Sequence, residues 1–353
     1  MNNIEPLRRS LREQELDALV IFSPRNVFYA CGFPAEDSAA VVTRERAWLF
    51  TDSRYIEAAR AAVTDAQVVL CTRENPLWPA VKSALEGCRR VGAEENAVSH
   101  ARWLEAERRL ELELVPAQKI FSTLRSVKQT YEIACITAAQ RIAEQALDEV
   151  LGLIRPGITE REIAAELTYR MMRLGGEGNS FDPISITGPN TSKPHGVPGE
   201  RAVQNGDFVT MDFGCIKGGY CSDMMRTVAV GSATEEMRRV YATVLDAQRA
   251  GIEKMRAGTT GREVHEAAAS VIAAAGYGEY MGHGFGHSVG LDIHESPSAS
   301  PANASPLPAG AVVTAEPGIY LPQRFGVRIE DMIVIGENAP DDITKAPKEL
   351  IIL

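Results

Sequence analysis

Two stretches of the chain set a carboxylate in the same pattern. Gly206 to Gly214 reads GDFVTMDFG and Gly310 to Gly318 reads GAVVTAEPG, both Gly-x-x-Val-Thr-x-acid-x-Gly, with Asp212 in the first and Glu316 in the second. Each acid lies in an apolar, β-prone run, where a charge is costly unless it is paired or binds a cation. Each has a second acid downstream, Asp223 and Glu330. The strand-like stretches Phe208 to Ile216 and Tyr220 to Val230 predict a hairpin centred near Lys217-Gly218, and Val312 to Tyr320 with Gly326 to Ile335 predict one centred at Gln323. Those centres put Asp212 across from Asp223 and Glu316 across from Glu330, with Cβ atoms about 5 Å apart. Unscreened carboxylates that close force one pKa upward unless a cation sits between them. A unit that repeats this arrangement predicts a polyvalent cation held between two related halves.

Histidines join the acids. Of six in the chain, His283, His287 and His294 fall in GHGFGHSVGLDIHE, and His195 lies in TGPNTSKPHGVPG. The interleaved Gly284, Gly286 and Gly290 argue against a helix, since each glycine costs about 1 kcal/mol against alanine. In an extended strand, the even spacing of His283 and His287 still puts both on one face. No Glu follows His283, so the zinc-protease helix motif is absent. His100 and His265 lie in helix-like, acid-rich surroundings and read as structural.

The elements that must position these groups are legible in outline. From Leu7 to Ile120 short helical and strand-like stretches alternate, predicting a small α/β domain with a mixed sheet. Phe121 to Lys128 reads as a junction into a long helix, Gln129 to Ile154. Thr159 with Glu162 and Thr260 with Glu263 are capping boxes, each opening an amphipathic helix. Each half is therefore expected to run helix, capped helix, acid-bearing hairpin. At 353 residues the chain exceeds one comfortable core. A net charge of −10 argues against nucleic acid or an anionic membrane as partner. There is no apolar run of the roughly 18 residues that would span a bilayer, and the start lacks a signal-peptide core. The six cysteines show no CxxC, and Cys215 and Cys221 face opposite ways, so reduced thiols and a cytoplasmic location are expected.

The motifs MDFG with SDMMRT, HGFGHSVGLDIHE, EPGIY and VRIED resemble the proline-peptidase branch of the dinuclear metallopeptidases with the pita-bread fold, the branch of aminopeptidase P and prolidase. NVFYACGF and LFTDSRY extend the resemblance loosely into the N-terminal third. It implies an α+β protein: a creatinase-like α/β domain over residues 1–123, then a pita-bread domain over 124–353 with an internal pseudo-twofold duplication. Carried over by position, the metal ligands are Asp212, Asp223, His287, Glu316 and Glu330. Asp223 and Glu330 would bridge two divalent ions, Asp212 serving one and His287 with Glu316 the other. Four carboxylates and an imidazole suit Mn²⁺, Co²⁺, Zn²⁺ or Fe²⁺, and the resemblance favours Mn²⁺. It further implies a water activated between the ions, with Glu316 carrying a proton to the leaving proline nitrogen, which has no N–H of its own. His195 and His294 match histidines that contact substrate, and His283 is expected nearby. Arg328 either supports Glu330 or the substrate, or simply pairs with Glu330 or Asp331. Phe181 and Tyr220 are assigned to the proline pocket or to core packing. A homodimer is expected by the same resemblance.

Two departures bear on the reading. Met225 stands where the pattern has a threonine, removing a hydroxyl that supports the ligands. Ser298 stands where some dipeptidases carry an arginine for the substrate carboxylate. The expected activity is therefore that of a metal-dependent Xaa-Pro aminopeptidase acting on proline-containing peptides, with the Xaa-Pro dipeptidase (prolidase) as the alternative. A creatinase-like amidinohydrolase or a non-catalytic peptide-binding protein fits less well, because those relatives have lost ligands that are intact here. The N-terminal domain disfavours methionine aminopeptidase.

Overall fold

The structure, a computed structural model, describes residues 3–353. Two compact units divide the chain, one ending at Leu124 and the other running from Arg125 to Leu353. The first holds a six-stranded mixed sheet with spatial order Gln67–Leu70, Ala47–Thr51, Ala39–Thr43, Ala18–Ile21, Val91–Ala93, Leu114–Pro116. Ala18–Ile21 is buried at every position, as an interior strand covered on both faces must be. Val81, Ala106 and Leu110 of two helices share one core with Val20, Val41 and Phe50 of the sheet. Most of the expected junction Phe121 to Lys128 is itself helical, since a helix covers Gln118–Ser126, and the long helix after it spans Thr130–Leu151. Ile120, Phe121 and Leu124 recur at helical spacing and the first two are fully buried, which explains the helix.

The second unit runs one plan twice. Helices Thr130–Leu151 and Glu160–Arg173 precede the first hairpin, and helices Glu235–Lys254 and Gly261–Ala274 precede the second. Thr159 and Thr260 cap their helices, with Glu162 and Glu263 returning the bond. Each half packs its own core, Leu147, Ile163 and Leu167 against Met211 and Phe213 in the first, Val244, Val264 and Ile272 against Val313 and Ile333 in the second.

Register decides where the acids point. In the second hairpin Gly318 pairs with Arg328 and Ala315 with Asp331, so Glu316 stands across from Glu330 as expected. The first hairpin departs from expectation. Its turn is Gly218-Gly219, with φ of 58° and 79°, rather than one centred at Lys217-Gly218. A two-residue hairpin turn of this kind needs positive φ at both central positions, which glycine adopts without strain. Asp212 therefore pairs with Met225, and Asp223 falls across from Gly214 between the pairs Phe213–Met224 and Ile216–Cys221. The displacement is two residues, and side chains alternate with a period of two, so both acids keep the same face as diagonal neighbours.

The hairpins meet at Met225 and Glu330, where the Glu330 N–H donates to the Met225 carbonyl at 3.1 Å. These residues hold matching places, one across from Asp212 and the other across from Glu316, so the contact lies on the pseudo-twofold relation between the halves. Beside it the buried Arg226 donates to the Glu330 carbonyl at 2.7 Å and to the Asp331 carboxylate at 2.7 Å. Among the described residues no helix is long and apolar enough to cross a membrane.

Candidate active site

A cavity of about 510 Å³ is lined by acids of both hairpins, Asp212, Asp223, Glu316 and Glu330, and by His195, His283, His287 and His294. The five expected ligands, His195, His283, His294 and Arg328 therefore converge on one pocket. His287 lies on the strand Gly286–Ser288, which pairs with Glu295–Ala299 and with Val312–Ala315, the strand leading into Glu316. Close approach requires the glycine before it: a Cβ on Gly286 would lie 1.9 Å from the Thr314 carbonyl oxygen. Ligand atoms of Asp223, His287 and Glu330 all lie within 4.8 Å of one another. His287 Nε2 is 3.3 Å from Glu316 Oε1 and 3.6 Å from Asp223 Oδ2.

The electrostatics fit divalent cations. Burial, with Asp223, Glu316 and Asp212 close by, holds Glu330 well above the ordinary carboxylate range. Asp223 is raised strongly by burial and by Asp212 and Glu316. Asp212 is also raised by burial, against the pull of Arg328. Burial and the His294 ring push His287 down to about 4, so it is neutral at pH 7. Its Nδ1 faces the Ser288 carbonyl at 3.2 Å, which fixes the proton there and leaves the Nε2 lone pair aimed at the acids. A lone pair facing carboxylates is repulsive without a cation. The buried Oδ1 atoms of Asp212 and Asp223 have no hydrogen-bond partner, as coordinating oxygens would. The residues present therefore fit the divalent ions that the sequence motifs imply.

Arg328 needs correction. It pairs with neither Glu330 nor Asp331: its guanidinium bonds Asp212, and its Nε stands 3.9 Å from Glu316 Oε2. Asp331 is taken by Arg226 instead. Burial opposes the Arg328 charge, yet Tyr320, Asp212, Glu316 and Glu330 keep its pKa well above normal. Arg328 also donates to the Tyr320 hydroxyl at 3.0 Å, and that hydroxyl lies 2.8 Å from His283 Nε2. With His283 Nδ1 on the Gly284 carbonyl at 2.8 Å, both ring nitrogens are engaged. Sequence reasoning missed Tyr320, although it ends the EPGIY motif. The His294 ring stacks edge-on to His287, with centroids 4.3 Å apart. Phe181 lines the cavity. Tyr220 does not: it is buried elsewhere and donates to Glu132 at 2.7 Å. His100 and His265 lie on helices away from the cavity lining. All six cysteines, Cys215 and Cys221 among them, are free thiols.

A duplicated, acid-lined hairpin pair, preceded along the chain by a separate α/β unit, defines a class. The chain matches metallopeptidase family M24 over residues 134–337 and the creatinase/prolidase N-terminal domain over residues 3–127. It belongs to metallopeptidase family M24, with the pita-bread fold, and is a hydrolase whose family works with divalent metal ions. It is 39% identical over 353 residues to the uncharacterized peptidase YqhT of Bacillus subtilis, covering 99% of each chain. Among solved structures, an Xaa-Pro dipeptidase from Bacillus anthracis superposes with a TM-score of 0.95 at 36% identity, covering 99% of each chain. An X-Pro aminopeptidase from Thermotoga maritima does so with 0.93 at 33% identity, covering 98% of this chain and 100% of its own.

Proposed function

We propose that the protein is a metal-dependent Xaa-Pro aminopeptidase that removes the residue preceding proline from the N-terminus of peptides. The observation that carries the peptidase reading is the buried acid cluster around a neutral His287 whose lone pair faces it. Asp212, Asp223, His287, Glu316 and Glu330 would hold two divalent ions, with Mn²⁺ the favoured identity. When bound, such ions activate a water and polarise the scissile carbonyl. Glu316 would take a proton from that water and deliver it to the proline nitrogen, which cannot depart unprotonated. Thr314 donates to Glu316 Oε1 at 3.1 Å and fixes that carboxylate. His294 and the exposed His195 hydrogen-bond the peptide from the cavity wall. His283, fully engaged through Tyr320 and Gly284, shapes the wall rather than carrying protons.

The choice of aminopeptidase rests on the cations. Among the described residues lining the cavity, Arg328 is the guanidinium or ammonium group, and Asp212 and Tyr320 occupy it. A dipeptide's free carboxylate would lack a free guanidinium or ammonium partner there, whereas a longer peptide needs none. The Xaa-Pro dipeptidase reading keeps support from relatives of that name, at 34% identity in Pyrococcus horikoshii and 36% in Bacillus anthracis. Metal-depleted protein resupplied with Mn²⁺, Co²⁺ or Zn²⁺ and given an Xaa-Pro dipeptide and a tripeptide with proline second separates the two. Cleavage of the tripeptide is the expected result. Cleavage of the dipeptide alone would establish the dipeptidase, and no turnover with any ion would defeat both readings. A homodimer, expected by resemblance, is checked by light scattering.

A further inference from the structure

Glu160 opens the helix Glu160–Arg173, yet its carboxylate serves a different segment. It is 1% exposed and accepts three hydrogen bonds, from Thr187 N–H at 2.8 Å, Asn190 Nδ2 at 2.8 Å and Gly199 N–H at 2.9 Å. These donors bracket the stretch that carries His195. Thr187 ends the strand Ile184–Thr187, Asn190 lies in the 3-10 turn Gly188–Ser192, and Gly199 follows His195. The helix end adds two main-chain bonds, Glu160 N–H to the Arg201 carbonyl at 3.0 Å and Arg161 N–H to the Gly199 carbonyl at 3.1 Å. Gly196 seats the loop against the strand, since a Cβ there would lie 2.7 Å from Ile186 Cδ1.

Helix stability does not account for this acid. A carboxylate in a first turn favours a helix by its dipole. The sister helix, however, keeps Thr260, Arg262 and Glu263 where the first has Thr159, Arg161 and Glu162, and has Gly261 where the first has Glu160. A helix capped at this place in the fold therefore does not need the acid. In the second half Gly261 packs directly onto the main chain, where a Cβ would lie 2.2 Å from the Ser298 carbonyl oxygen; in the first half the same place holds the Glu160 carboxylate, which reaches the His195 loop. A carboxylate accepting three N–H groups gives directional bonds, and holding a substrate-binding group in place is what such bonds can do.

We propose that Glu160 is a positioning residue for His195: its carboxylate fastens residues 187–199 at three points and sets where the imidazole stands in the cavity. This rests on the reading of the cavity as the peptidase site. The test uses Glu160→Gln, His195→Ala and the double variant, with Asn190→Ala as a milder probe that removes one donor and keeps the carboxylate. Mn²⁺ affinity is measured by calorimetry, kcat/KM on a tripeptide with proline second, and amide hydrogen exchange over residues 188–199. Glu160→Gln is expected to speed exchange in that segment, leave Mn²⁺ affinity within about twofold, and lower kcat/KM on the order of 10- to 100-fold, the loss expected of a misplaced group. In the His195→Ala background the same change should lower kcat/KM by no more than about twofold. Asn190→Ala should act in the same direction and less strongly, and it decides the matter if Glu160→Gln does not fold. Unchanged exchange, a fully additive double variant, or a His195→Ala enzyme as active as the parent would each overturn the proposal. A parent protein inactive with every ion would sink the peptidase reading instead, and the exchange result would still decide whether Glu160 anchors the loop.

Discussion

Asp223 and Glu330 sit where burial and the charges of neighbouring acids oppose ionisation, and they are the residues on which metal binding should depend most steeply. Changing a residue that merely supports a ligand costs about 10- to 100-fold in affinity or activity. Asp223→Asn and Glu330→Gln, which alter ligands themselves, should each lower kcat/KM by more than about 100-fold, with Mn²⁺ stoichiometry by elemental analysis falling alongside. The same burial sets a pH dependence in metal-free protein. Asp212, Asp223 and Glu330 have raised values when folded, against about 4 for unfolded carboxylates. Their protonated folded forms contribute stability that is complete below about pH 4 and is lost as pH rises through the raised values. His287 acts oppositely: about 4 when folded against about 6.5 unfolded, it contributes stability that is complete above about pH 6.5, constant from there on, and lost as pH falls to about 4. Above about pH 6.5, Tm of the metal-free protein should fall with rising pH, and saturating Mn²⁺ should abolish the fall. A flat or rising profile would contradict the acid cluster as described. The acids could be found in the sequence because a charge in an apolar strand is conspicuous, and His287 through the resemblance of HGFGHSVGLDIHE to the family's motif. Glu160 was not conspicuous: it sits in an ordinary capping box, and its partners Thr187, Asn190 and Gly199 meet it only after folding.

At the level of elements, glycines decide how near the strands come. Gly286→Ala would force its strand away from Thr314, and with it His287 from Glu316. The expected outcome is at least tenfold weaker Mn²⁺ binding by calorimetry, on the scale of losses from disturbed ligand support. Glycine also explains which register was legible. The three-residue loop at Gln323 has a positive φ of 61°, and its symmetric flanks gave Glu316 across from Glu330 directly. Around Lys217-Gly218-Gly219 two turn centres were available by spacing, and only the conformation of both glycines selects the one formed. The capping boxes at Thr159 and Thr260 were legible because their bonds are local. The helix Gln118–Ser126 was not, because its buried stripe is short and lies beside a polar FSTLRS sequence.

Across the whole second unit, the two halves are joined by a buried charge pair. Asp331, with no exposed surface, accepts from Arg226 at 2.7 Å, from Gln248 Nε2 at 2.9 Å and from Lys348 Nζ at 2.6 Å. Removing one partner of such a pair leaves an uncompensated buried charge and costs about 3–5 kcal/mol. Asp331→Ala should show that loss in urea unfolding of metal-free protein, and a midpoint shift worth less than about 1 kcal/mol would mean the joint is held by other contacts. The duplication was readable from Gly-x-x-Val-Thr-x-acid-x-Gly alone, but the joint was not, since Arg226 reaches partners more than a hundred positions away. The separate core of each half carries a further consequence. Each scaffold closes over its own apolar interior, while the reactive groups are shared across the seam. Chelating the ions should therefore silence the enzyme without unravelling it, and resupplying them should revive it at the pace of ion entry rather than of refolding.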